Sequence, residues 1–400
     1  MITLLTMPAG LFFSRALLSI SMILFIAFAC FHKNILQQVQ SCFRQKFFIG
    51  LILLFSIPLL SGLWSADSET WLDVVRIKLP LFLFPLAFAG DWQLSGRQWR
   101  TIFFLFVLLL VGGCSWSLWQ YAADVGAINE SYLKAKSIPT PFENDHVRYS
   151  WIVAIAAAGI ILILPEFSTR GHQALSISVV IFFVIYLHIL SARTGLFCFY
   201  FFILIYFVRS MFQSANKKVL YSLMIVLFLM PVVAWLAMPT FQNRVRYIVY
   251  DFSFIEKGAY FPGGNDGNRA LSFKAGWHIL TNNFFGVGAG DIRTAANGWY
   301  TANVPAMQET DKLLPSSEWL VYGATAGWIG VVIFTAIMFI PLALEIRRHR
   351  FAWIAINSMA ALSFLFDIGL EVQFGVFLYT FSILCFYKWI NAENNLPAAI

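Results

Sequence analysis

Long apolar segments separated by short polar gaps run along almost the whole chain. A helix needs roughly 20 apolar residues to cross a bilayer. Segments close to that length lie at 10–31, 47–64, 72–90, 100–121, 149–166, 173–191, 194–212, 219–239, 318–345, 351–369 and 372–390. The first contains Arg15 and can be divided into two short helices. The pattern therefore predicts an all-α polytopic membrane protein with 11–12 transmembrane helices.

The composition agrees with this pattern and excludes other classes. Hydrophobic residues make up 60% of the chain and charged residues 12%, whereas a soluble domain has about 25% charged residues. A single soluble core cannot bury so much apolar surface, and disordered chains are poor in aromatic residues. The net charge of +7 does not indicate nucleic-acid binding, because the basic residues lie in short gaps rather than on one face.

The charges in the gaps predict the orientation in the membrane. Alternate gaps hold thirteen basic and four acidic residues, and the positive-inside rule assigns such gaps to the cytoplasm. These residues are Lys33, Arg44, Lys46, Asp91, Arg97, Arg100, Glu166, Arg170, Arg209, Lys217, Lys218, Glu345, Arg347, Arg348, Arg350, Lys388 and Glu393. The other gaps, including the long polar stretches 122–148 and 241–317, are therefore expected on the outer side.

The longer outer stretch is expected to carry part of a functional site. A loop of about 75 residues inside a compact membrane protein is usually functional. It contains the turn signal GGNDG at 263–267 and a segment at 270–280 that can form a helix. We divide the chain into an N-terminal transmembrane bundle at 1–240, the large loop at 241–317 and C-terminal transmembrane helices at 318–400, which together form one integrated domain.

Two arginines on the predicted outer side are candidate anion ligands. Arg193 lies in a turn of a few residues between two apolar segments. An arginine at that position either snorkels to lipid phosphates or binds a diphosphate group at the membrane boundary. Arg269 lies in the large loop and shares a helix face with Phe273. From spacing alone, a solvated loop charge explains Arg269 better than a binding role.

Two motifs mark the end of the large loop. The sequence GVGAGD at 286–291 is similar to a phosphate-binding loop, but no strand precedes it and no helix obviously follows. We therefore interpret it as a turn that requires glycine dihedral angles. The sequence PSSEWL at 315–320 opens an apolar segment, where Ser316 or Ser317 can cap a helix and Glu318 suits the helix dipole. The histidines have no ligand spacing, so no metal site is predicted.

Taken together, these features make the chain resemble the O-antigen ligase and O-antigen polymerase superfamily of bacterial inner-membrane proteins. The resemblance is sharpest over about 185–332. In chain order its marks are SARTG at 191–195, the large outer loop, the spacing from Arg269 to Trp277, GVGAGD at 286–291, and PSSEWL at 315–320 followed by Gly327 and Gly330. The resemblance implies a GT-C-like architecture with the long loop on the periplasmic face before the last three spans.

The resemblance also implies a reaction, a metal-independent glycosyl transfer without a nucleotide sugar or cofactor. The donor is a glycan linked to undecaprenyl diphosphate, and an acceptor hydroxyl attacks the anomeric carbon. Two arginines on the periplasmic face hold the diphosphate in this family, and they correspond to Arg193 and Arg269. Preorganised arginines stabilise the charge that a diphosphate leaving group gains as its bond breaks.

One position departs from the family pattern. The family has a histidine directly after the proline of the PSSEWL segment, and it is thought to activate the acceptor hydroxyl. Here that position is Ser316, which cannot act as a free base near neutral pH. Glu318 or Asp311 can replace the histidine, His278 can approach from the loop, or the reaction can proceed without a base. Glu318 ranks first because it lies at the same helix start, so Glu318 and Ser316 are the candidate catalytic residues.

The sequence leaves the acceptor open. In a ligase the acceptor is lipid A-core or another surface glycan or lipid, and in a polymerase it is another lipid-linked repeat. The expected partners are this donor, this acceptor and membrane lipids. A transporter of lipid-linked glycans is a third reading, but it predicts ionisable residues near the membrane centre, and the spans from 149 onward almost lack them.

Overall fold

The computed structural model describes residues 1–166, 169–213, 217–257, 260–346 and 348–394. Within these ranges the regular structure is helical and no strand occurs. Arg347, the residues 395–400 and the side chains of Glu166 and Glu393 lie outside the described part of the chain. The α-helices are α1 (Ile2–Phe13), α2 (Arg15–Cys30), α3 (Ile35–Arg44), α4 (Lys46–Ser61), α5 (Ser68–Lys78), α6 (Pro80–Phe88), α7 (Gly96–Ala123), α8 (Val125–Ser131), α9 (His146–Ile163), α10 (Arg170–Leu190), α11 (Arg193–Phe212), α12 (Lys217–Met224), α13 (Met230–Ala237), α14 (Pro239–Glu256), α15 (Asp266–Asn282), α16 (Ile292–Asn303), α17 (Glu318–Ala343), α18 (Arg350–Phe366) and α19 (Gln373–Asn394).

Seven helical segments among the described residues are long and apolar enough to cross a membrane. They are α7, α9, α10, α11, the stretch Lys217–Ala237 that joins α12 to α13, α17 and α19. The pair α2 and α3, bent by 104°, is an eighth candidate. The chain is therefore an all-helical, multi-pass membrane protein, as its apolar pattern predicts.

The remaining apolar segments form shorter or broken helices, so the count of 11–12 exceeds what helix length supports. Segments 47–64 and 351–369 form α4 and α18, with 16 and 17 residues. Segment 72–90 forms α5 and α6, because Pro80 has no amide proton to continue the hydrogen-bond ladder. Composition alone does not reveal these shortened spans.

The helix breaks beside Arg15, but α1 lies mostly before the predicted segment 10–31, which is therefore mainly α2. Ser14 is extended, with φ −165° and ψ 121°, and separates α1 from α2. A Cβ at Gly10 would lie 2.5 Å from the backbone nitrogen of Leu18. Residues eight apart in a straight helix are about 12 Å apart, so α1 and α2 fold against each other.

The described residues form two compact units. Unit 1 comprises 1–102, 254–357 and 364–400, and unit 2 comprises 103–253 and 358–363. In unit 1, α4 packs against α17 and α6, α19 packs against α6, and α15 packs against α16 and α17. Helices α15 and α16 of the large loop thus share a core with α17. The division of the chain at 240 and 317 stays a prediction from the sequence.

In unit 2, α9 packs against both α10 and α11. A Cβ at Gly195 would lie 2.5 Å from Ser150 Cβ, and the Gly195 amide donates to Ser150 Oγ at 3.1 Å. Small residues allow helix backbones to approach closely in a bilayer. Gly195, the last residue of the SARTG motif, therefore sets the distance between α9 and α11.

Helix α17 reverses direction near its start. Ala326 and Gly327 have non-helical dihedral angles, with φ 64° and ψ −151° at Gly327. The indole nitrogen of Trp319 donates to Thr335 Oγ1 at 2.9 Å, and the rings of Trp319 and Phe334 have centroids 4.7 Å apart. Residues 16 apart in a straight helix would be separated by about 24 Å. The two parts of α17 therefore lie side by side.

We call residues 318–325 the first arm and residues 328–343 the second arm of this helical hairpin. As a whole, α17 has the length and composition of a membrane span. The expectation of one continuous helix over 318–345 is wrong, because the chain reverses at Gly327 and only the second arm continues toward α18. The predicted segment 318–345 is longer than the second arm because it also includes the first arm, which folds back on the second. In the sequence, the residue that marks the reversal is Gly327, because its dihedral angles are essentially restricted to glycine.

Backbone hydrogen bonds connect the GVGAGD segment to the residues at which α17 reverses. Gly286 and Gly288 have φ of 77° and 91°, which confirms the interpretation as a glycine turn. The expectation that no helix follows is wrong, since α16 begins at Ile292. The connecting backbone hydrogen bonds run from Val287 N to Ala324 O at 2.7 Å, from Gly288 N to Thr325 O at 3.1 Å and from Trp328 N to Phe284 O at 3.2 Å.

Replacing Gly327 with alanine is expected to destabilise the protein. A Cβ there would lie 1.7 Å from Phe284 O, and the backbone conformation alone costs about 1–3 kcal/mol for another residue. The melting temperature of the purified full chain measures the effect. Gly298→Ala is the matched control, because nothing lies within 4 Å of a Cβ at that position. Equal melting temperatures for the two variants would contradict the reversal at Gly327.

Candidate functional site

Arg269 lies near the start of α15 and contacts the last residue of α18. Its Nη1 donates to the carbonyl oxygen of Phe366 at 2.9 Å. The side chain is partly exposed, and the next residue after Phe366, Asp367, is buried. The predicted loop arginine is thus positioned by the end of α18 and is not simply solvated.

A buried serine connects Arg269 with the start of α17. Ser272 Oγ lies 2.7 Å from the carbonyl oxygen of Arg269 and 2.7 Å from Ser316 Oγ, and it accepts from the Ser316 amide at 3.2 Å. Ser272 has one hydroxyl proton. When that proton is donated to Arg269 O, the Ser316 hydroxyl can donate to Ser272 Oγ. Ser316 therefore belongs to a short hydrogen-bonded chain that begins at Arg269.

The two serines before α17 do not cap it. The Ser317 side chain makes no capping bond, and its hydroxyl instead donates to the Phe364 carbonyl at 3.3 Å. Ser316 is engaged with Ser272. The capping prediction for Ser316 or Ser317 is therefore wrong: both hydroxyls bind neighbouring elements of unit 1 rather than the free amides of α17.

Glu318 is completely buried at the first position of α17. Its Oε1 accepts from the Leu370 amide at 2.6 Å. Its Oε2 is buried and has no hydrogen-bond partner among the described residues. A buried carboxylate oxygen without a partner is costly, so this position is constrained by more than helix capping or the helix dipole.

A buried ion pair lies beside Glu318. Lys78, at the end of α5, is 1% exposed and forms a salt bridge with Glu371. Its ammonium also lies over the ring of Tyr322, 4.8 Å from the ring centroid. The charges of Lys78, Glu371 and Asp367 all act on Glu318. We call Lys78, Glu318, Tyr322, Asp367 and Glu371 the buried charge cluster.

Sequence reasoning did not single out Lys78, although one signal was present. Lys78 lies within the apolar segment 72–90. Ionisable residues inside apolar segments of membrane proteins usually face a partner or a cavity. Its partner Glu371 lies 293 positions further along the chain, and no local pattern connects two residues at that separation.

Arg193 is the first residue of α11 and belongs to unit 2. The turn before it is as short as the sequence predicts, because α10 ends at Leu190. Ser191 adopts a left-handed conformation with φ 50°, and its hydroxyl donates to the carbonyl of His188 at 2.6 Å. The turn therefore places Arg193 at a fixed position on the helix start.

The alternative bases occupy two other positions of unit 1. Asp311 accepts from the Tyr260 hydroxyl and from the Gly263 amide at 2.8 Å. Burial and the Asp311 carboxylate both raise the pKa of Tyr260. Asp311 thus closes the loop before α15. His278 lies on an exposed face of α15.

Arg269, Ser316 and Glu318 therefore lie together in unit 1, where α15, α17 and the 364–371 segment meet. Among the described residues, no group of three or more His, Cys, Asp or Glu side chains is arranged to hold a metal ion. The arrangement can bind an anion at the partly exposed Arg269, and it buries the carboxylate of Glu318 at the start of α17. No protein-family model matches the chain, and no curated protein matches it either.

Proposed function

We propose that the protein transfers a glycan from an undecaprenyl-diphosphate carrier to an acceptor hydroxyl on the periplasmic face of a bacterial inner membrane, as in O-antigen ligases. The observation that supports this most is the common location of Arg269, Ser316 and Glu318. Arg269 lies on α15, far along the chain from Ser316 and Glu318 at the start of α17, yet Ser272 connects the starts of the two helices. An anion-binding arginine beside a buried carboxylate fits a displacement with an anionic leaving group.

In the proposed reaction, the acceptor oxygen forms a bond to the anomeric carbon. The bond between that carbon and the diphosphate oxygen breaks, and the diphosphate leaves with the bonding electrons. Arg269 stabilises its growing charge. A second contact of the diphosphate with Arg193 stays a prediction from the family resemblance. The acceptor proton passes to Glu318, while Ser316, at the position of the family histidine, orients the acceptor hydroxyl.

Loss of the gene tests this proposal directly. In a deletion strain, we expect long glycans to accumulate on undecaprenyl diphosphate and to disappear from the surface lipid. Gel analysis of the lipopolysaccharide together with the extracted carrier-lipid pool measures both. Wild-type complementation is the control. Single repeats on the acceptor would indicate a polymerase of the same fold, and unchanged glycans with an unchanged carrier pool would contradict both enzymes.

Glu318→Gln tests the proposed base. The glutamine keeps the acceptor for the Leu370 amide but cannot take the proton, so transfer should slow by about 10²-fold, within the range of general-base catalysis. Turnover and melting temperature are measured on the same preparation. If the buried Glu318 has a purely structural role, Glu318→Gln will instead lower the melting temperature and leave turnover intact. That result would remove Glu318 from the reaction.

A further inference from the structure

A groove lies along the outer surface of α15, outside the cluster described above. It has a volume of about 510 Å³ and is lined by Phe273, Lys274, Trp277, His278, Thr281 and Leu320. Gly276 allows α15 to approach α17 here, since a Cβ at Gly276 would lie 2.7 Å from Pro315 Cβ. The groove is therefore a consequence of how closely these two helices pack.

Two side chains of this groove can bind an anion. Lys274 and His278 are four residues apart and share one face of α15. Both side chains are exposed. Asn282 Nδ2 lies 3.1 Å from His278 Nδ1. An amide nitrogen only donates, so Nδ1 accepts and the ring proton resides on Nε2, which is then a donor even when the imidazole is neutral.

Large exposed aromatic side chains lie in the groove and in the segment that follows α15. Trp277 is 56% exposed and meets Trp328 edge to face, with ring centroids 6.0 Å apart. Phe284 and Phe285, which follow α15, are 62% and 68% exposed. Exposed tryptophan and other aromatic rings are typical of the boundary between lipid and water. An anion bound beside them lies at the depth of lipid head groups.

We propose that this groove binds the phosphate head group of an anionic glycerophospholipid in the outer leaflet. Lys274 and His278 contact the phosphate, and the acyl chains lie against Trp277 and Phe273. The two cationic or donor groups explain why the head group is anionic, and the exposed rings explain why the ligand is a membrane lipid rather than a soluble anion. This site does not depend on glycan transfer.

Native mass spectrometry of the delipidated full-length protein tests the proposal. The protein is incubated separately with phosphatidylglycerol and phosphatidylcholine nanodiscs, and retained lipid is counted after extraction. We expect about fivefold to tenfold higher retention of phosphatidylglycerol, which one or two cations near the membrane surface can supply. Lys274→Ala/His278→Ala should abolish the preference.

Three comparisons make the result decisive. Arg293→Ala removes an exposed positive charge from α16 and should keep the preference, as should Lys274→Arg/His278→Arg. An unchanged melting temperature shows that each variant is folded. Equal retention of both lipids, an unchanged preference in the alanine double variant, or displacement of the lipid by millimolar inorganic phosphate would each overturn the proposal. None of these readouts uses transfer activity, so they leave the proposed reaction unaffected.

Discussion

Replacing Arg269 with alanine is expected to lower the rate of the proposed glycan transfer by about 10²–10³-fold, the usual cost of losing one preorganised donor to a developing negative charge. The wild-type guanidinium is oriented by its bond to Phe366 O, so it does not have to reorganise when the diphosphate leaves. The rate is measured with purified protein and a lipid-diphosphate-linked glycan. Because the side chain is partly exposed, we expect the variant to fold normally.

Arg269→Lys and Arg293→Ala separate binding geometry from charge. Lysine keeps the charge but loses the planar fork that matches phosphate oxygens, so Arg269→Lys should recover only part of the rate. Arg293→Ala removes one exposed positive charge from α16 and should transfer at the wild-type rate. Arg193→Ala is expected to be slow as well, as the family resemblance implies. Full activity in Arg269→Ala would remove this arginine from the mechanism.

Replacing Lys78 with methionine is expected to destabilise the protein by about 3–5 kcal/mol. Lys78 is the cation of the buried charge cluster and forms the salt bridge with Glu371. Removing one partner of a buried pair leaves an uncompensated charge in an apolar surrounding, which accounts for a cost of this size. The loss of stability is measured by thermal unfolding of the full chain in detergent. The fraction of protein that remains monodisperse at each temperature reports the folded fraction.

A second substitution distinguishes charge from packing. Glu371→Gln removes the negative partner of Lys78, so the double variant Lys78→Met/Glu371→Gln should be more stable than Lys78→Met alone. Replacing both charges of a buried pair with neutral groups is often close to neutral. If the double variant is no more stable than Lys78→Met, the ion pair contributes little and the loss reflects packing of the lysine side chain.

The apolar pattern predicts membrane helices well where the chain is regular. Helices α9, α10 and α11 match their predicted segments, because each combines an apolar run with a clear polar boundary. The pattern fails at α17, since an apolar composition is compatible with one long span and with two arms that pack on each other. A single residue, Gly327, decides between them, and its dihedral angles are not encoded in hydrophobicity.

The site was predictable only in part, for a related reason. Motif order placed Arg269, Ser316 and Glu318 among the candidates, and these three do lie together. The contacts that position them come from Ser272, Phe366 and Leu370. Phe366 and Leu370 lie outside the motifs, and Ser272 is not one of the two residues that define the spacing from Arg269 to Trp277. Such contacts depend on how helices from distant parts of the chain pack, and a single sequence carries no record of that packing.

The reversal at Gly327 limits the thickness of bilayer that this part of the protein can span. Only the second arm, 328–343, continues toward α18, and at 1.5 Å per residue it is about 24 Å long. The hydrocarbon core of a typical bilayer is about 30 Å thick. A helix that is too short is accommodated by local thinning of the bilayer. Lipids next to Trp328, at the start of the second arm, are therefore expected to be compressed.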